Sequence, residues 1–283
     1  MWSNFHTHSD YCDGKGPVEQ YAQKAAANGM MALGFSSHAP LPFHRPWTMQ
    51  EDHIDGYVRA IAALKKSFPT LEIYTGLETD YIPGITSPAI FRDKLDYTIG
   101  SIHFVEQLPD GTPWEIDGNH ALFLDGYTKI FKSDIKAVMH RYYALTREMI
   151  STAGPAIVGH LDKIKIQNIG GQFFDEQAPW YRHEIVSTLD TIRAHGTIVE
   201  VNTRGIYQKK SSTTYPSPWI LELVHQREIP VTLSSDAHHP DDLTNQFPAT
   251  ARLLAAIGFK TLMVLHEGRW QPVPFNERDL AQP

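Results

Sequence analysis

The stretch MALGFSSHAP, residues 31–40, is a short apolar run that ends in two serines and a histidine. The run from Met31 to Phe35 has the length and composition of a buried β-strand, and His38 follows it closely. An amphipathic stretch from Pro17 to Asn28 comes before the run. Proline suits a first helical position, and Gly29 suits the residue just after a helix end. Helix, buried strand and polar strand end form the unit from which we predict the fold.

The same unit recurs along the chain. Further apolar runs predict strands that end near His8, Ser37, Glu78, His103, His160, Asn202 and Ser235. Amphipathic stretches predict helices at Pro17 to Asn28, Glu51 to Ser67, His120 to Ser151, Tyr181 to His195, Ser217 to Arg227 and Asp241 to Ala256. Strands that alternate with helices are typical of parallel sheets with crossover helices. We therefore predict an α/β fold, either a barrel of seven strands or an open doubly wound sheet.

The chain shows no low-complexity linker and no sequence repeat, so we expect one domain over residues 1–283. The segment that begins at Phe259 predicts a short added hairpin with its turn at Gly268.

Composition excludes several classes of protein. The 283 residues carry 25 Lys and Arg against 32 Asp and Glu, and the net charge of −7 disfavours a nucleic-acid partner. No apolar stretch approaches the roughly 18 residues of a membrane span. The N-terminus lacks the features of a signal peptide, and the single cysteine, Cys12, permits no internal disulfide. We therefore expect a cytoplasmic protein, and its oligomeric state is left open.

Fifteen histidines are present, and many follow predicted strands. In barrels and open α/β sheets the carboxyl ends of the strands form one rim, where active sites lie. We therefore predict a metal site at this rim, with nine candidate ligands: His6, His8, Asp13, His38, Glu78, His103, His160, Asp236 and His238.

Several candidate ligands have an ordinary alternative when each is taken alone. His38, His103 or His160 could be a buried histidine with a hydrogen-bond partner. His6 and His8 share one face of an extended strand, so they can bind one ion. Glu78 ends an apolar strand and needs a cation to compensate its charge. Nine nitrogen and oxygen ligands are too many for one zinc ion and suit three divalent ions of Zn, Mn or Fe.

Together these residues resemble the motifs of the PHP (polymerase and histidinol phosphatase) family. The motifs are His6-x-His8, Ser37-His38-Ala39, Gly76-x-Glu78, Gly100-Ser101-x-His103, Gly159-His160 and Ser235-Asp236-Ala237-His238. The resemblance implies a distorted seven-stranded βα barrel with a trinuclear metal centre.

The resemblance also implies how the ligands divide among three ions. The first ion would take His6, His8, Glu78 and Asp236, the second His38 and His238 with an early-loop residue, and the third Glu78, His103 and His160. The early-loop residue is often histidine in relatives. In this chain the candidate is Asp13, which departs from that pattern.

Within the family, several loop segments are similar to those of the stand-alone histidinol-phosphatases. They include residues 9–16, 114–117 and 200–205. The likeness implies hydrolysis of L-histidinol phosphate, a small phosphate monoester, by a hydroxide that bridges the metal ions.

The same reasoning predicts further residues of the site. Arg204 is the candidate clamp on phosphate, because its planar fork matches two oxygens. Either Asp236 or His238 would pass a proton to the leaving alkoxide. The remaining candidates for substrate binding, each with a surface or packing alternative, are Lys163, Lys165, His44, Trp114 and Asp117.

Three other functions stay open at this point. One is a PHP phosphoesterase that acts on nucleotides or nucleic-acid ends. Another is a metal-dependent amidohydrolase, whose barrel also begins with His-x-His; such barrels usually have eight strands and often a carboxylated lysine, and no lysine ends a predicted strand here. The third is a metal-binding module without catalysis.

Overall fold

The computed structural model describes residues 1–281. Its strands are Ser3–Asn4 (β1), Ala32–Phe35 (β2), Glu72–Asp80 (β3), Tyr97–Ser101 (β4), Phe104–Gln107 (β5), Pro113–Glu115 (β6), Ile157–Val158 (β7), Ile198–Asn202 (β8), Val231–Ser234 (β9), Thr261–His266 (β10) and Arg269–Pro274 (β11). Its α-helices are Val18–Ala27 (α1), Ile54–Ser67 (α2), His120–Lys129 (α3), Ile135–Ala153 (α4), Pro179–His195 (α5), Arg204–Tyr207 (α6), Pro218–Gln226 (α7) and Phe247–Ile257 (α8).

Seven of the strands form one parallel sheet in the order β1-β2-β3-β4-β7-β8-β9. Each is almost wholly buried, as expected for strands covered by helices on the outside. The predicted seven-stranded α/β barrel is therefore confirmed, and the open doubly wound sheet is not the fold.

The barrel closes just beyond the ends of its first and last strands. The backbone N–H of Ala237 donates to the oxygen of His6 at 3.0 Å, and His8 N–H donates to the oxygen of Ala237 at 2.8 Å. Nearer the base of β1, the Asn4 side chain donates to Ser235 Oγ at 2.8 Å. The seam between the two strands thus lies at the carboxyl-terminal rim.

Two predicted helices differ from the structure. The stretch from His120 to Ser151 is two helices, because Lys132 and Ser133 adopt positive φ angles of 52° and 63°. Asp134 then caps α4 by accepting hydrogen bonds from the first N–H groups of that helix. The last predicted helix begins at Phe247 rather than at Asp241, since residues 240–242 form only a 3₁₀ turn.

The predicted C-terminal hairpin is present as β10 and β11. Trp270 packs edge-on against Phe5 and Tyr97, with ring centroids 5.0 and 6.0 Å away. At its turn, Glu267 N–H donates to the side chain of Glu72, the first residue of β3. The hairpin therefore covers the amino-terminal end of the barrel, opposite the rim. In residues 1–281 we find no helix with the length and apolar character to cross a membrane.

Candidate metal centre

Glu78, near the carboxyl end of β3, is the centre of the histidine cluster at the rim. Its Oε2 lies 3.2 Å from His6 Nε2 and 3.1 Å from His38 Nδ1. Its Oε1 lies 2.9 Å from His160 Nε2 and 3.6 Å from His103 Nε2. The carboxylate is almost wholly buried. Four histidines that are far apart in the sequence therefore surround one anion in the interior of the protein.

The structure brings all nine predicted ligands together at this rim. Atoms able to bind a metal lie within 4.8 Å of one another in three overlapping groups: His6, His8 and Asp236; His8, Asp13, His38 and His238; and His38, Glu78 and His103. The groups differ from the predicted division in several places, and Glu78 is not in the group of His6, His8 and Asp236. His8 also faces the second group, and His38 takes a place in the third beside Glu78, whereas His160 reaches that group through the Glu78 carboxylate.

Asp13 lies at the position expected for the early-loop ligand of the second ion, where relatives often have histidine. Its Oδ1 is 3.2 Å from His238 Nε2 and 3.8 Å from His8 Nδ1. A turn after β1, in which Gly14 N–H donates to the Ser9 oxygen, returns the chain toward the rim and brings the carboxylate to it.

Several ligand atoms of the cluster are buried and accept or donate no hydrogen bond within the described residues. They are His6 Nε2, His8 Nε2, His38 Nδ1, His103 Nε2 and Asp13 Oδ1. Such atoms are costly to bury unless a partner compensates them. Imidazole nitrogens and carboxylate oxygens that face one another are the donor set of Zn, Mn or Fe ions. The residues therefore fit divalent metal ions.

The charged groups of the rim also favour cation binding. Burial alone would raise the pKa of Glu78, but the imidazoles of His38 and His6 hold it well below its usual range. Burial likewise opposes ionisation of Asp236, whose pKa is held well below its usual range by His6 and Arg204. Both carboxylates are thus ionised, as metal ligands must be.

Two buried carboxylates that are not among the predicted site residues orient the ligands. Glu200 places Oε1 2.5 Å from His6 Nδ1, and its Oε2 accepts the backbone N–H of His160 at 2.6 Å. Asp80 Oδ1 lies 3.0 Å from His103 Nδ1. The contacts at Nδ1 of His6 and of His103 leave the Nε2 atom of each ring facing Glu78 in the cluster. A signal was present: Glu200 is an acid inside an apolar strand, and Asp80 shares a strand face with Glu78.

A cavity of about 250 Å³ opens over the cluster, and two predicted phosphate-binding cations stand in its wall. Arg204 Nη1 donates to the backbone oxygen of Asp236 at 2.8 Å and lies 2.5 Å from His238 Nδ1. Lys163 Nζ lies 2.8 Å from Asp117 Oδ2, and both side chains line the cavity.

Three residues predicted to bind substrate lie outside this cavity. Lys165 is buried beneath the rim, where Asp162 and neighbouring hydroxyl and carbonyl oxygens surround its ammonium group. Trp114 is 1% exposed, and its indole donates to a backbone oxygen in α3. His44 is on an exposed loop. From the same loop, Trp47 lines the cavity, with its ring 4.7 Å from that of His38.

Residues 4–204, most of the barrel, match the family model described as the PHP domain. The chain belongs to the PHP family. The chain is 28% identical over 277 residues to a Deinococcus radiodurans protein named "Probable histidinol-phosphatase", across 94% of this chain and 97% of that one. It is 27% identical over 263 residues to the histidinol-phosphatase of Bacillus subtilis, across 86% and 96% of the two chains.

A solved structure has the same fold as this PHP barrel. It is the histidinol phosphate phosphatase of Lactococcus lactis, crystallised with zinc, L-histidinol and phosphate. The TM-score is 0.68 over 99% of both chains, at 17% sequence identity. At that identity the likeness establishes the fold alone.

Proposed function

We propose that this PHP protein is a phosphomonoesterase that hydrolyses L-histidinol phosphate to L-histidinol and inorganic phosphate. One observation carries the proposal: buried histidines and carboxylates converge on Glu78 beneath a cavity that Arg204 and Lys163 line. Two relatives that align with most of the chain are named for this activity, and they support the choice of substrate.

We propose that three divalent ions, of Zn, Mn or Fe, occupy the centre. The three overlapping groups of ligand atoms support this number, with Glu78 shared between ions and His160 completing its surroundings. When bound, such ions lower the pKa of a water molecule to about 7 and offset negative charge on phosphoryl oxygens. Among the ligands themselves, the three carboxylates of Asp13, Glu78 and Asp236 offset only part of the charge of three such ions, which favours binding of a phosphate dianion.

The protein's own cations would hold the phosphate group. Arg204 is fixed against the backbone of Asp236, so its planar guanidinium is presented to the cavity without reordering. Burial lowers the pKa of Lys163, but Asp117, Asp236 and Glu78 raise it above its usual value. Lys163 therefore stays protonated at neutral pH and supplies a second positive charge.

A proton must reach the alkoxide as it leaves. We propose that His238 donates this proton, or that the ionised Asp236 carboxylate relays it from a water molecule. Arg204 Nη1 donates to His238 Nδ1 at 2.5 Å, which places the hydrogen of the neutral ring on Nε2, the nitrogen that faces the cluster.

The proposal also covers the domain organisation, the class of substrate and the location of the enzyme. We propose one domain over residues 1–283, a small-molecule substrate rather than a nucleic acid, and a cytoplasmic location. The net charge of −7 and the single cysteine, Cys12, support the last two statements.

The test is release of inorganic phosphate from L-histidinol phosphate by protein loaded separately with Mn, Zn or Fe. We expect kcat/KM of about 10⁴ M⁻¹s⁻¹ or more, far above that for p-nitrophenyl phosphate. Arg204→Ala should lower kcat/KM for both esters at least about 100-fold, because a charge-assisted contact to phosphate is lost. Arg193→Ala, an exposed change on α5, is the matched control and should have no effect.

The other outcomes separate the parts of the proposal. Turnover of p-nitrophenyl phosphate alone would remove histidinol phosphate as the substrate and leave a PHP phosphoesterase. Failure with both esters and all three metals would remove the catalytic function.

A further inference from the structure

The strand β6 and the residues after it point their side chains alternately toward the core and the cavity. Trp114 and Ile116 are buried in the core, at 1% and 0% exposure. Glu115 and Asp117 line the cavity above the metal centre. Two carboxylates therefore share this cavity with the phosphate-binding cations Arg204 and Lys163.

The two carboxylates differ in how they are compensated. Asp117 is paired with Lys163 at 2.8 Å. The cation that faces Glu115 is Arg45, whose Nε is 3.9 Å from Oε2. The Arg45 guanidinium is already engaged, since it lies over the ring of Phe104 at 5.4 Å and donates to a backbone oxygen at 3.2 Å. Glu115 thus has a weaker ion pair than Asp117.

The surroundings of Glu115 strengthen its demand for a cation. Burial and the charge of Asp117 raise the pKa of the Glu115 carboxyl above its usual value. A nearby positive group would relieve both effects, because it offsets the charge that burial and repulsion disfavour.

The space beside Glu115 suits a small organic cation. Glu115 Oε1 lies over Gly118, and a Cβ atom at position 118 would be only 2.9 Å from that oxygen. The carboxylate can occupy this position because residue 118 is glycine. The indole of Trp47 lines the same cavity. A carboxylate and an aromatic ring that share a pocket wall are a common arrangement for binding an ammonium group.

We propose that Glu115 binds the ammonium group of the substrate's leaving alcohol, while Arg204 and Lys163 hold its phosphate. Glu115 is then a specificity-determining residue that selects phosphate esters of amino alcohols over phosphate esters of uncharged alcohols. This inference rests on the proposed function.

The experiment compares Glu115→Gln with the unchanged protein on L-histidinol phosphate and on its desamino analogue, 3-(imidazol-4-yl)propyl phosphate. We expect KM for L-histidinol phosphate to rise about 10- to 100-fold with kcat within threefold, since one charge-assisted contact is lost. KM for the desamino analogue and for p-nitrophenyl phosphate should change less than twofold.

Two further variants sharpen the comparison. Gly118→Ala keeps the charge but displaces Oε1, so it should raise KM for L-histidinol phosphate in the same selective way. Glu106→Gln on the neighbouring strand β5, outside the cavity, is the matched control and should leave every KM unchanged.

The results that overturn the inference differ from those that overturn the function. A KM for L-histidinol phosphate within twofold in Glu115→Gln, or an equal rise for the desamino analogue, would reject the ammonium contact. No turnover of L-histidinol phosphate by the unchanged protein would reject the proposed substrate, and the role of Glu115 with it.

Discussion

At the scale of single residues, the site depends on carboxylates that hold histidines in fixed orientations. Glu200 is the clearest case, because its two oxygens hold the ring of His6 and the backbone of His160. Those histidines belong to different proposed metal positions. One side chain of β8 therefore sets the geometry on both sides of Glu78.

Replacing that carboxylate should weaken metal binding before it affects the fold. In Glu200→Gln the amide can no longer accept from both partners with full charge, so the His6 ring loses its orientation. We expect metal affinity to fall about 10- to 100-fold, as measured by competition with a chromogenic chelator. Glu222→Gln, an exposed change on α7, is the control. Unchanged affinity in Glu200→Gln would show that packing alone orients His6.

The residues of β6 show what sequence could and could not establish at this scale. The segment 114–117 is rightly placed at the mouth of the site, because it follows a strand that ends near the rim. Which side chains face inward depends on the hairpin of β5 and β6, which the sequence analysis did not predict. Trp114 therefore lies in the core, and Glu115 takes the cavity face beside Asp117.

At the scale of elements, a buried lysine connects two segments near the rim. Lys165 Nζ lies 2.9 Å from Asp162 Oδ2, within one segment. It also donates to the Thr214 oxygen at 2.9 Å and to Ser217 Oγ at 2.5 Å, in the segment before α7. The ammonium group is buried and fully engaged by these oxygens, so it acts as a structural connection rather than as a substrate contact.

Removing the lysine should destabilise the protein strongly. Lys165→Ala leaves the buried Asp162 carboxylate without its cation, and breaking such a pair costs about 3–5 kcal/mol. Urea denaturation of the metal-free protein should show that loss in the free energy of unfolding. Lys66→Ala, at an exposed position of α2, should change it by less than about 0.5 kcal/mol. A similar small change in Lys165→Ala would mean that the segment is held by its backbone contacts.

Strands and helices could be predicted where apolar runs are uninterrupted. The ends of a helix were harder to predict where the turn that ends it has no glycine or proline. The sequence from His120 to Ser151 reads as one helix because its apolar period continues through residues 130–134. The break rests on Lys132 and Ser133 in left-handed conformations, which non-glycine residues adopt only when tertiary contacts favour them. The strands of the barrel have no such interruption, and all seven were found.

At the scale of the whole molecule, the metal centre and the barrel stabilise each other. Ligands come from strands all round the barrel, so the ions can bind with full affinity only to the folded chain. Ligands that bind the native state alone stabilise it by mass action, by about 2.7 kcal/mol at 100 times the dissociation constant.

Metal removal should therefore lower the melting temperature. We expect the chelated protein to melt at least roughly 5 °C below the zinc-loaded protein in differential scanning calorimetry. Glu78→Gln, which removes the shared carboxylate, should lose most of that difference. Equal melting temperatures with and without zinc in the unchanged protein would contradict binding at a site built from the folded barrel.

The seam at which the barrel closes also governs when the site can exist. His6 and His8 precede Asp236 by about 230 residues, so they leave the ribosome well before it. Until the nascent chain has added β9 and the backbone of Ala237 has bridged to His6, the first ligand group lacks one of its members. Domains begin to fold from the N-terminus during synthesis, so an early barrel must wait with its acids and imidazoles uncompensated. A chain arrested upstream of β9 would therefore be left without a complete centre.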